Sequence, residues 1–344
     1  MTTYLEQEIM SQPDVIARLL DRELPRVPRL LAQLPSFAYA LIAARGTSDH
    51  AAIYAKYAWA AFAGYPVALA TPSLYTLYHA PPRMDQALVI GISQSGQSPD
   101  IVAVLEEAKR QGRPTLAITN NGSSPLAAVA DHVIELHAGP ERSVAATKTY
   151  TAQVTVLALL AACWSDQQER LQELHRLPEA LATTLQGARE LARSAERYRY
   201  MERCVILGRG YNYATVFELA LKLKELTYVM ANAYSSADFR HGPIATIHAG
   251  MPAILVMPES VTFGDMLALA HDLRERGAEL LIATNRPEAQ ALATTLLPLP
   301  DGVPEWLSPI TAIVPGQLLA LHLALAKGIE PDQPRGLQKV TRTL

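Results

Sequence analysis

The residues best suited to chemistry lie in a hydroxyl-rich run, Ser93-Gln94-Ser95-Gly96-Gln97-Ser98-Pro99, between the apolar stretch ALVIGIS (87–93) and a helical pattern at 100–112. Ser98 suits a helix N-cap and Pro99 the first helical position, so the loop offers hydroxyls, backbone N–H groups and a helix N-terminus to an anion. Such a loop can hold a phosphate without a lysine. A single serine there would read as an ordinary strand-to-helix turn, but the whole run favours anion binding. A second group is ELALKLKEL (218–226), where Glu218, Lys222 and Glu225 share one helical face at i, i+4 and i+3 spacings. Spacing alone favours a solvated ion-pair face, and the alternative is a general base with a lysine beside it. A third is DFRHGP (238–243), which sets His241 in a turn before Gly-Pro, where a lone histidine is more often structural than catalytic.

The other histidines, His50, His79, His132, His137, His175, His248, His271 and His322, lack HExxH or paired-ligand spacing, so no metal site is expected. Neither a Walker A loop nor G-x-G-x-x-G occurs; GRG (208–210) continues as YNYAT, and no nucleotide or redox cofactor is expected.

The elements that must position these groups come in two copies. LIAARG (41–46) aligns with VILGRG (205–210), DIVAVLEEAKRQG (100–112) with DMLALAHDLRERG (265–277), and TLAITN (115–120) with LLIATN (280–285), all at an offset of 164 or 165 residues (45 to 209 is 164; 100 to 265 is 165). Apolar runs such as ALVIGIS, AILVM (253–257) and LLIAT (280–284) read as strands buried on both faces, separated by amphipathic helices. The pattern predicts α/β domains, each a parallel sheet flanked by helices. The expected boundaries are a helical lead-in over 1–35, a first domain over 36–165, a helical linker over 166–200, a second domain over 201–328 and a tail over 329–344.

The copies differ where chemistry is expected. The loop aligned with SQSGQSP is MPESVTFGD (257–265), with Val261 at the place of Gly96 and Phe263 at that of Ser98, and opposite GTSD (46–49) stands GYNY (210–213). One phosphate site per chain is expected, at the carboxyl ends of the first copy's strands.

Composition bounds the function. The 344 residues are 49% apolar and 18% charged with a net charge of −3, enough for two domains with sizeable cores. Lysine and arginine number 30 against 33 acidic residues with no basic block, so neither nucleic acid nor an anionic membrane is an expected partner. Two cysteines, Cys163 and Cys204, both in apolar stretches, build no disulfide framework and suit a reducing cytoplasm. The N-terminus lacks a basic segment followed by an apolar core, and the run VTVLALLAAC (154–163), read as the longest apolar one, is half a bilayer span. A cytoplasmic protein without signal peptide or transmembrane helix is expected.

Taken together, GTSDH, ISQSGQS, SVAATKTY (143–150), LGRG, LKLKE, RHGP and DQPRGLQKVT (332–341) resemble, in order and spacing, the tandem sugar-isomerase (SIS) domains of the glutamine–fructose-6-phosphate aminotransferases, and QEIMSQPDVI (7–16) resembles the linker into their isomerase half. The resemblance implies two tandem SIS domains, each an α-β-α sandwich. It puts Thr47, Ser48, Ser93, Gln94, Ser95, Ser98 and Val144 on sugar-phosphate positions, Ser98 being a threonine in the synthases. It puts Glu225 on the isomerising base, Lys222 on the lysine beside it, and His241 on a ring-opening histidine that reaches across from a partner subunit, which implies a homodimer with shared active sites. Lys339 falls on the tail lysine that contacts, or forms a Schiff base with, the open-chain sugar. No cofactor is implied.

Two departures concern nitrogen chemistry: Ala146 replaces a serine and Gln338 an alanine of the synthase pattern. The chain also opens Met-Thr-Thr just before the linker-like segment, so a glutaminase domain, and glutamine as nitrogen donor, are not expected. Its motifs look closer to stand-alone SIS-type glucosamine-6-phosphate deaminases. The expected reaction is glucosamine 6-phosphate to fructose 6-phosphate and ammonia. A phosphosugar isomerase, a fructosamine-6-phosphate deglycase and a non-catalytic phosphosugar sensor are the alternatives.

Overall fold

The structure, a computed structural model, describes residues 2–165 and 167–339. The chain starts with helices α1 (Tyr4–Met10), α2 (Gln12–Glu23) and α3 (Val27–Leu31). The first copy then runs β1 (Tyr39–Ala43), α4 (Thr47–Ala63), β2 (Val67–Leu69), α5 (Ser73–Thr76), β3 (Ala87–Ser93), α6 (Pro99–Arg110), β4 (Thr115–Thr119), α7 (Pro125–Val129), β5 (His132–Glu135) and α8 (Lys148–Trp164). Helices α9 (Gln168–His175), α10 (Leu177–Gly187) and α11 (Leu191–Glu196) follow. The second copy runs β6 (Arg203–Gly208), α12 (Tyr213–Thr227), β7 (Met230–Ser235), α13 (Ser236–Arg240), β8 (Pro252–Val256), α14 (Phe263–Glu275), β9 (Glu279–Thr284), α15 (Pro287–Gln290), β10 (Thr295–Pro298) and α16 (Ser308–Ala326).

Two compact units result. Among the described residues, the first comprises 14–141, 148–165, 167–176 and 338–339; the second comprises 2–13, 142–147 and 177–337.

The first unit holds a five-stranded sheet ordered β2-β1-β3-β4-β5, and the second one ordered β10-β9-β8-β6-β7. Every pairing is parallel. Counted from each copy's first strand, both sheets have the doubly wound order 2-1-3-4-5, whose switch point lies between first and third strands. Even the register repeats: Ile42 pairs with Ile90 and Ile206 with Ile254. The central strands are buried because helices cover both faces, and all seven residues of β3 are buried. In the first unit Val89, Ile101, Val104, Leu105 and Leu126 pack together, and in the second Leu207, Leu255, Leu269, Leu273 and Ile282 do so.

Helix boundaries follow local chemistry. Helix α6 starts with Ser98 at the N-cap and Pro99 in its first turn, and it stops before Gly112, whose φ of 68° suits a residue without Cβ. Helices α4 and α8 pack on each other, with Trp59 Nε1 donating to the Leu157 carbonyl at 2.9 Å.

One expectation about apolar runs needs correction. Glu305–Ala326, not 154–163, is long and apolar enough to cross a membrane, with a mean hydropathy of 1.6, and no other helix among the described residues is. Its pattern is interrupted by Thr311, Pro315, Gln317 and His322, which hides the run from a search for unbroken apolar stretches. Within the second unit α16 packs against α1, α10, α11 and α12, and 83% of the segment's most apolar window is buried, so here it is the core helix.

Candidate functional site

In the first unit the loops after β1 and β3 meet at the switch point. Gly46 caps α4 with a φ of 51°, placing Thr47 and Ser48 in the first helical turn. Ser48 is nearly buried, and its Oγ accepts a hydrogen bond from Gln153 Nε2 of α8 at 3.0 Å.

The serine loop braces itself. Ser93 Oγ accepts from the Gly96 N–H at 3.1 Å, and Ser95 Oγ accepts from the Gln97 N–H at 3.2 Å. The Gln94 carbonyl accepts from the Asn120 N–H, and the Gly96 carbonyl from the Leu126 N–H. Gly96 has a φ of 64°, and a Cβ there would run into the Ser124 side chain, so no other residue fits without displacing the next loop. Ser98 makes no side-chain cap bond, which leaves its hydroxyl at the α6 N-terminus available to a ligand. Behind the loop, Arg45 Nε pairs with the buried Asp100 Oδ2 at 2.8 Å.

The second unit repeats the brace without the cradle. Arg209 pairs with Asp265 at 2.9 Å, matching Arg45 and Asp100 across the repeat. Burial alone would raise the Asp265 carboxyl, yet hydrogen bonds from Ser236, Arg240 and Arg209 hold it below its ordinary value. The loop after β8, however, is engaged by the protein's own carboxylate: Glu305 Oε2 accepts from the Val261 N–H at 3.1 Å, and Oε1 lies 3.8 Å from where a Gly210 Cβ would stand.

Helix α12, following β6 in this unit, carries the carboxylate–lysine group. Lys222 is fully inaccessible, with Glu225 Oε2 at 2.5 Å and Glu218 Oε1 at 3.4 Å. Glu218 is equally buried, while the Glu225 side chain keeps 23% exposure. The solvated ion-pair face favoured by spacing is therefore not what forms. A buried ammonium is held between two carboxylates, and only Glu225 reaches solvent. His241 ends α13 exposed, its N–H bonded to the Asp238 carbonyl and its ring bonded to no described residue.

The tail lysine lies in the same unit as the serine loop. Lys339 Nζ contacts Glu141 Oε2 at 2.8 Å, and the buried Glu141 also accepts from the Thr149 N–H and hydroxyl at the start of α8. Val144 lies half-buried in the segment of the second unit whose Arg142 and Ser143 N–H groups donate to the Glu8 carboxylate. Sequence reasoning missed Gln153, Glu141, Ser124 and the Arg45–Asp100 pair. Only that pair left a signal, since both residues recur at the repeat offset.

The cysteines carry no nucleophile: burial pushes the Cys204 thiol up to about 12 and the Cys163 thiol up to about 11. No cluster of metal-ligating side chains occurs among the described residues.

Residues 39–163 and 198–327 each match the SIS domain family. A glutamine–fructose-6-phosphate aminotransferase (isomerizing) of Pyrococcus horikoshii is 35% identical over 341 residues, covering 98% of this chain and 57% of that protein. The chain thus spans little more than half the length of that curated relative. A solved structure from Silicibacter pomeroyi DSS-3, named as a candidate phosphosugar isomerase, is 34% identical with a TM-score of 0.84 over 96% of this chain and 100% of its own. Glucosamine-6-phosphate deaminase from Thermotoga maritima shares the fold, with a TM-score of 0.79 at 20% identity over 99% of this chain and 100% of its own.

Proposed function

The chain belongs to the SIS-domain family, and we propose that it is an enzyme converting glucosamine 6-phosphate to fructose 6-phosphate and ammonia. The observation that carries this reading is the buried Lys222 bonded to the partly exposed Glu225. A sensor has no need to bury an ammonium, which costs several kcal/mol unless well compensated, beside one solvent-reaching carboxylate.

The 6-phosphate binds the serine loop and the α6 N-terminus. His241 passes a proton from the C1 hydroxyl to the ring oxygen, opening the sugar. Glu225 takes the C2 proton and returns it to C1 through an enolamine, which turns the aldose amine into a ketose imine. Lys222 engages Oε2 of Glu225, leaving Oε1 for the carbon acid, and its charge offsets that developing on the substrate. Water then adds to the imine carbon and ammonia leaves. Lys339 contacts the open-chain sugar from the tail. His241 serves a neighbouring subunit's site in a homodimer, a role suited to an exposed ring bonded to no described residue.

In a coupled assay without glutamine, metal or nicotinamide, the protein releases ammonia and fructose 6-phosphate from glucosamine 6-phosphate, and Glu225→Gln lowers turnover by about 10²–10⁴-fold with binding nearly intact. Binding without turnover would mean a sensor. The likeness to the Silicibacter structure favours one second reading, an aldose–ketose phosphosugar isomerase, which interconverts sugar phosphates but releases no ammonia. Mixing inactive His241→Ala and Glu225→Gln chains restores part of the activity; no recovery after verified subunit exchange would remove the shared site.

A further inference from the structure

Gln153 is fully buried on α8, next to the apolar run Val154–Ala162. Its Nε2 donates to Ser48 Oγ, while its Oε1 has no hydrogen-bond partner. A buried amide with one end unpaired is destabilising relative to an apolar residue of similar size. Packing alone would be served better by leucine or methionine, so the amide's use lies at its bonded end.

That end is Ser48. A hydroxyl has one proton and two lone pairs. With Nε2 donating into one lone pair, the proton of Ser48 must go elsewhere. In a helix the usual outlet is a carbonyl three or four residues back, but Gln153 is the only described partner of the Ser48 side chain. The proton is therefore free at the N-terminal turn of α4, beside the switch point where the serine loop stands.

We propose that Gln153 is a positioning residue that makes Ser48 an obligate donor, directing its O–H to an oxygen of the bound phosphomonoester. This inference rests on the sugar-phosphate reading above and adds a residue that touches no ligand atom.

The test is calorimetric titration of the full chain with fructose 6-phosphate, with melting temperatures followed in parallel. Gln153→Met keeps the volume but removes the donor, and it weakens binding about 3- to 10-fold. Gln153→Glu, an acceptor only, takes the Ser48 proton and weakens binding further. In a Ser48→Ala background neither substitution adds to the loss, although any cost in stability persists. Should Gln153→Met fail to fold, Gln153→Asn, too short to reach Ser48, makes the same comparison. Equal losses with and without Ser48, or wild-type binding by Gln153→Glu, which would mean that the hydroxyl normally donates into the amide, overturn the proposal. A wild-type chain that does not bind fructose 6-phosphate removes the sugar-phosphate reading and this inference together. Binding that depends on Ser95 and Ser98 but shows additive Gln153 losses removes only the inference.

Discussion

The loops after β3 and after β8 occupy the same place in two sheets of identical strand order and register, and each is backed by the same arginine–aspartate pair. They differ in what fills the space above the strands. After β3, two serine hydroxyls fold the loop onto itself, Gly96 lets it pass against Ser124, and Ser98 leaves its hydroxyl uncapped. After β8, Val261 and Phe263 stand in place of Gly96 and Ser98, Arg286 lies over the Phe263 ring, and Glu305 takes the Val261 N–H. The frame needed for folding is kept in both copies; the hydroxyl-rich loop is kept in one. A position that carries its own carboxylate repels a second anion, which supports the proposed single phosphate site per chain, on the first copy.

That contrast can be broken most severely at Gly96. Gly96→Ala adds a Cβ at positive φ against Ser124, a strain of about 2–4 kcal/mol from backbone and overpacking together. It abolishes measurable sugar-phosphate binding and lowers the melting temperature, whereas Val261→Ala at the fully open counterpart stays within about 0.5 kcal/mol of wild type. Similar damage at both positions would show that the two loops are not functionally distinct. Next in size, Ser95→Ala with Ser98→Ala weakens fructose 6-phosphate binding by roughly 1–3 kcal/mol, while Ser260→Ala with Thr262→Ala changes it little. Equal losses from the two pairs would end the one-site reading.

The smallest effect belongs to the repeated brace. Hydrogen bonds and ion pairing depress the Asp265 carboxyl below its ordinary 3.8 despite burial. Its stabilisation is therefore complete above pH 3.8 and is lost as pH falls through the lowered folded-state value. Because the Asp265 side chain is 34% exposed, solvent screening keeps the contribution below about 1 kcal/mol. Denaturant midpoints of Asp265→Asn against wild type converge in strong acid and separate near neutrality; a constant gap would assign the loss to packing instead.

How legible these features were depends on the range of the interaction behind them. Strand β3 and helix α6 lie where apolar runs, Ser98, Pro99 and Gly112 place them, because caps and periodicity act over a few residues. Of the candidate site, residue types and order alone mark the serine loop; spacing favours a solvated face for Glu225 with Lys222 and a structural turn for His241, and only the family resemblance implies roles for them. The face of α12 was not legible, since Glu218, Lys222 and Glu225 at helical spacing look the same whether solvent or a core helix covers them. Helix α16 escaped for a similar reason, its polar residues breaking a run that burial unifies.

The sequence by itself determined the duplication, the parallel α/β architecture and the asymmetry between the two loops, for each is written in nearby residues and their order. Only the tertiary structure decided that Lys222 is inaccessible, that Glu141 receives Lys339 from 198 residues away, that Glu305 enters the second loop and that Gln153 grips Ser48. Those outcomes depend on which distant elements exclude water from a given side chain, and burial is a property of the packed whole rather than of any local pattern.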